Sequence, residues 1–113
     1  MELIIKPYWT NTKKNMRKPI KWSSLAEEDF AKLLEYLENR WNNAVCLKFI
    51  SKLDFCIDLI YKNPNQFPFL NVELQIIKCV VTKQNTLYYR ETDARIEILR
   101  LYDTRQNPDT LKF

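Results

Sequence analysis

Apolar residues recur at two different periods along this chain, and the change of period divides it. In SSLAEEDFAKLLEYLENRW, Ala26, Phe30, Leu33, Leu34, Leu37 and Trp41 form one stripe at helical spacing. Ser24 and Glu27 make an S-x-x-E capping box, which predicts the helix start. Glu27, Glu28 and Asp29 put negative charge at the positive end of the helix dipole. Asn42-Asn43 breaks the pattern. A second helix is predicted from about Ala44 to Tyr61, with Cys46, Phe49, Ile50, Leu53, Ile57 and Ile60 on one face. Asn63-Pro64 ends it, because the residue before proline is pushed out of the α region. The short connection implies an antiparallel helical hairpin.

After NPNQFPF, read as a stiff loop, the period changes. VELQIIKCVVTK from Val72, TLYYRE and RIEILRLYD are rich in β-branched and aromatic residues and predict three strands, with turns near Gln84-Asn85 and Thr92-Asp93. Ile96, Ile98 and Leu101 alternate imperfectly, which predicts a mostly buried last strand. Upstream, Ile20 and Trp22 alternate with lysine and suit a half-buried strand. The expected fold is α+β, in the order β-α-α-β-β-β, with a helical hairpin packed on one face of a small, mainly antiparallel sheet. Residues 1–15 read as an N-terminal extension and 16–113 as one domain. Met16 as the natural start and an extra edge strand at Leu3 to Ile5 are the two readings of that extension.

Composition narrows the chemistry. The 113 residues include no histidine and no glycine. The usual neutral-pH base and commonest metal ligand are therefore missing, as are Gly-rich phosphate loops. Cys46, Cys56 and Cys79 form no C-x-x-C pair and sit in apolar runs, so buried free thiols in a reducing cytoplasm are expected. No segment is apolar for long enough to span a membrane. The net charge of +4 suits an acidic partner, or ordinary solubility. No cofactor or metal is expected.

The element order, with W-S-x-L-A-E-E-D-F at 22–30, W-N at 41–42, N-P at 63–64, L-Y-Y-R at 87–90, I-E-I-L at 96–99 and D-T-R-Q-N-P at 103–108, resembles the RelE/ParE superfamily of toxins. The resemblance is nearest to the ParE-like, plasmid-stabilisation branch and spans roughly residues 18–112. It implies a bacterial type II toxin neutralised by a cognate antitoxin in a hetero-oligomer. Two activities divide such proteins: inhibition of DNA gyrase, and cleavage of messenger RNA on the ribosome. An inactive homologue that acts only in the antitoxin complex and in operon autoregulation is a third possibility.

Metal-free RNA cleavage needs a base, an acid and cations on the phosphate. Matched on L-Y-Y, the lysine-pair positions of cleaving relatives fall at Ile77 and Cys79, and their arginine position at Thr86. Arg105 alone keeps its matched position, so the resemblance points to gyrase. A ribonuclease would have to use Arg105, Arg90, Lys83, Lys78 and Tyr89. Of Tyr88 and Tyr89, one is expected in the core and the other towards solvent, either packing or stacking a base. For target binding the candidates are Arg105, Gln106, Asn107 and Arg90, with Asp103 and Pro108 as structural support. Arg105 either staples its own turn to Asp103 or addresses an acidic or phosphate group on a partner. Trp41, Phe67 and Phe69 are either core edge or antitoxin-docking residues.

Overall fold

The computed structural model describes residues 17–106 and 108–113. Strand β1 (Ile20–Trp22) leads into helix α1 (Ser24–Arg40) and helix α2 (Asn43–Lys62). Four strands follow: β2 (Phe69–Asn71), β3 (Ile76–Thr82), β4 (Asn85–Glu91) and β5 (Ile96–Asp103). A short 3-10 turn at Pro108–Thr110 precedes the C-terminus. The five strands form one sheet in the order β1-β5-β4-β3-β2. Among the described residues only the β1–β5 pair is parallel, and the helical hairpin covers one face, as the periodicity predicts.

Several boundaries differ from expectation. Ser23, not Ser24, caps α1: its Oγ accepts the Ala26 N–H at 3.0 Å and donates to the Leu99 carbonyl at 2.8 Å. The predicted capping box is thus replaced by a cap that also ties the helix to β5, because the Ser23 hydroxyl reaches both partners. Asn42 caps α2 through Val45 N–H at 3.0 Å, so W-N closes one helix and opens the next. Trp41 leaves the predicted apolar stripe. It is the residue after α1 and is 63% exposed.

The loop predicted at 63–69 ends in β2, a three-residue strand with every side chain exposed. No burial period betrays it, since backbone pairing to β3 defines it. Residues 72–75, expected to begin a strand, form a turn instead. There Gln75 takes φ 58°, a left-handed position that glycine would fill at lower cost.

The main core lies between helices and sheet, built from Phe30, Leu34, Phe49, Leu53, Ile57, Ile60, Ile77, Cys79, Leu87, Tyr89, Ile98 and Leu101 among others. A register shift explains the broken alternation of β5. Tyr88 opposes Arg100 and Tyr89 opposes Ile98, which leaves Leu99 as the extra residue of a bulge. Leu99 joins Ile76, Tyr88 and Tyr102 in a smaller cluster, with Leu111 packed against it. Phe113 meets the Tyr88 ring edge-on at 5.6 Å. Both tyrosines of L-Y-Y-R are therefore packing residues: Tyr89 is fully buried, with its hydroxyl on the Pro64 carbonyl at 2.6 Å, and Tyr88 is buried in the smaller cluster.

Candidate functional site

The last turn is built by the sheet end. Asp103 pairs with Asn85 at the close of β5, Thr104 N–H donates to the Gln84 carbonyl at 2.8 Å, and Gln106 N–H donates to the Asp103 carbonyl at 3.1 Å. The Asp103 carboxylate accepts three hydrogen bonds from Arg105: backbone N–H at 2.9 Å, Nε at 3.0 Å and Nη2 at 2.7 Å. Those bonds hold the Asp103 carboxyl below the usual carboxylate range. The two readings of Arg105 are not exclusive, because the fork that staples the turn leaves the side chain 54% exposed. A planar guanidinium held on one edge keeps its other donors available in a fixed direction.

The turn faces α1 across a cleft of about 240 Å³, lined by Asp29, Lys32, Leu33, Tyr36, Asp103, Arg105 and Gln106 among others. Tyr36 and Arg105 share this cleft, and the Arg40 guanidinium stands over the Tyr36 ring at 5.6 Å. Lys32, Tyr36 and Arg40 are spaced i, i+4, i+8, so they form one stripe of α1, of which Lys32 and Tyr36 line the cleft beside the turn. Sequence reasoning missed this stripe. The signal was the polar face of a helix whose apolar face drew the attention.

The remaining candidates do not all gather here. Lys83 lies in the neighbouring turn, where its carbonyl accepts from Thr104 Oγ1 at 3.3 Å. Arg90 sits at the far end of β4, opposite Glu97, and its Nε and Nη2 donate to Glu97 Oε1 at 3.2 and 2.9 Å. Arg95 holds the second Glu97 oxygen, at 2.9 Å, and together they keep the Glu97 carboxyl below its ordinary value. Lys78 is exposed and opposes Tyr88. Tyr89 points into the core, where burial pushes its phenol well above the ordinary range. Asn107 lies outside the described residues. Pro108 opens the short 3-10 turn.

Ile77 and Cys79, matched in sequence to a lysine pair, also point into the core. The neighbouring positions of β3 that face away from the helices are Ile76, Lys78 and Val80, which supply one cation. Among the described residues no group of three or more His, Cys, Asp or Glu side chains is placed to hold a metal ion.

Arg100 was not foreseen either. Its Nε and Nη2 form a fork on Asp29 at 2.7 and 3.0 Å, and Nη1 donates to the Lys112 carbonyl at 2.6 Å. Asp29 also accepts the Leu101 N–H at 3.1 Å, so one carboxylate of α1 holds the edge of β5 beyond β1. The aspartate of W-S-x-L-A-E-E-D-F is therefore structural.

A helical hairpin on one face of a five-stranded sheet, with an exposed arginine held in the last turn, defines the class of small α+β toxins that the sequence motifs resemble. The match to the family described as "ParE toxin of type II toxin-antitoxin system, parDE" runs over residues 20–108, and the chain belongs to that family. Solved structures agree in fold. The chromosomal ParDE system from P. aeruginosa superposes with a TM-score of 0.65 at 15% identity, covering 76% of this chain and 95% of that one. The E. coli DinJ-YafQ toxin–antitoxin complex gives 0.55 at 18% identity, covering 78% and 93%. The YoeB-YefM complex from Staphylococcus aureus gives 0.53 at 21% identity, covering 76% and 95%. No curated protein matches the sequence.

Proposed function

We propose that this toxin acts by binding, in the manner of the ParE-like branch: it blocks DNA gyrase when free and is neutralised by a cognate antitoxin. The observation that carries the reading is the engagement of its arginines. Arg90, Arg100 and Arg105 each face a carboxylate, from Glu97, Asp29 and Asp103. A phosphoryl-cleaving site needs cations directed at the phosphate and a group that titrates near neutrality. Burial instead raises both Tyr88 and Tyr89. The exposed Arg105, sharing a cleft with Lys32 and Tyr36, suits a large acidic surface better than an enclosed reaction.

The antitoxin partner rests on separate features. Trp41, Leu47, Phe55, Phe69 and Val80 are large, apolar and exposed, and the net charge is +4. An acidic amphipathic chain complements both. Cleavage of ribosome-bound messages is the second reading, and exposed Lys78 opposite Tyr88, with Lys83 in the turn beside Thr104, is what favours it. Purified wild-type toxin is expected to inhibit gyrase supercoiling and to leave messages on translating ribosomes intact. Cut messages with unaffected gyrase contradict the proposal, and inactivity in both assays, with no growth arrest on induction, indicates an inactive homologue.

A further inference from the structure

We propose that Cys56 and Cys79 form a dithiol site that a peroxide oxidises to an intramolecular disulfide joining α2 to β3. The two residues belong to different elements, and both line one groove of about 520 Å³ whose walls include Phe55, Phe67 and Val80. Each residue is nearly covered, at 6% and 2% exposure, yet the groove gives a small oxidant an approach that packing alone would deny. Both residues belong to the same buried cluster between helices and sheet. The Cys56 thiol donates to the carbonyl of Val80, the residue next to Cys79, at 3.7 Å. Cys46 does not line this groove.

Exposure to the groove assigns an order to the chemistry. Cys56 is the less covered of the two, and its neighbour Cys79 shifts its thiol down, so Cys56 reacts first. Cys56 thiolate attacks one peroxide oxygen, the O–O bond breaks, and the departing hydroxide takes a proton and leaves as water. Cys56 is then a sulfenic acid. The Cys79 sulfur attacks the Cys56 sulfur, the S–O bond breaks, and a second water leaves with the Cys79 proton. Two thiols are oxidised by two electrons and one peroxide is reduced to two waters. Closing the bond brings the sulfurs to about 2.05 Å and fixes α2 to the floor of the groove between exposed Phe55 and Val80. The inference stands on the thiols and does not depend on the toxin's target.

The test is peroxide treatment of the full chain, followed by alkylation, intact mass and peptide mapping. The expected result is a fall from three alkylatable thiols to one, a mass loss of two hydrogens, and a linked peptide pair carrying Cys56 and Cys79 in a monomer. Cys56→Ala and Cys79→Ala each abolish the loss, and Cys46→Ala does not. Should the alanine variants fail to fold, phenylarsine oxide on the wild-type chain reads the same pair. It is expected to bind once per chain, releasing one water and shielding two thiols from alkylation. Three thiols surviving peroxide, a disulfide between two chains, or a Cys56 oxyacid beside a free Cys79 overturns the proposal. So does an arsenical that leaves all three thiols open.

Discussion

The two faces of the sheet are held by different physics. The helix-covered face is closed by apolar area: Phe30, Phe49, Leu53, Ile57 and Ile60 pack on Ile77, Leu87, Tyr89 and Ile98. The other face is closed by a small cluster, a returning tail and charge pairs. Leu111 packs against the cluster there, Phe113 meets Tyr88, and Arg100 reaches the Lys112 carbonyl while held by Asp29. One face supplies stability that any close-packed apolar set could give. The other positions particular polar atoms, and the exposed Arg105 turn continues from its last strand.

The largest expected effect breaks the first face. Phe49→Ala opens a cavity under the hairpin and is expected to cost about 3–5 kcal/mol in urea unfolding. Asp29→Ala attacks the join between helix and strand edge. It strips a fork from an arginine only 14% exposed and is expected to cost about 2 kcal/mol, while Asp29→Asn recovers part of the loss. Deleting residues 111–113 uncovers the small cluster and removes the Lys112 carbonyl. The expected loss is about 1 kcal/mol, with fluorescence reporting a more exposed Tyr88.

Glu97→Gln sharpens the comparison through pH. Arg90 and Arg95 hold the Glu97 carboxyl below its ordinary value of 4.5. A carboxyl depressed in the folded state stabilises fully above its unfolded value, and that stabilisation is lost as pH falls through the folded value. Urea midpoints of the wild type are therefore expected to fall below about pH 4.5 more steeply than those of Glu97→Gln.

The same division decides what the sequence disclosed. Helical period placed both helices within a residue or two, and it named most of the core, because burial on one face writes itself into spacing. Trp41 continued the stripe arithmetically but fell past the last helical turn. Strand β2 left no trace, since exposed Phe69, Leu70 and Asn71 pair through backbone alone. The Leu99 bulge appeared only as imperfect alternation. The fork of Arg100 on Asp29 spans 71 positions, and no local pattern links such residues. At the candidate site, Asp103 and Arg105 were readable because they are two residues apart, whereas Lys32 and Tyr36 approach the turn from another element.

The most direct measurement is a gyrase supercoiling titration of wild-type toxin against Arg105→Ala, with thermal melts of both. The exposed guanidinium contributes little to the fold, so the melts are expected to coincide. The wild type is expected to inhibit and the variant to lose most of that inhibition. A variant that melts normally and inhibits as well as wild type would contradict the account, as would a wild type that leaves gyrase untouched.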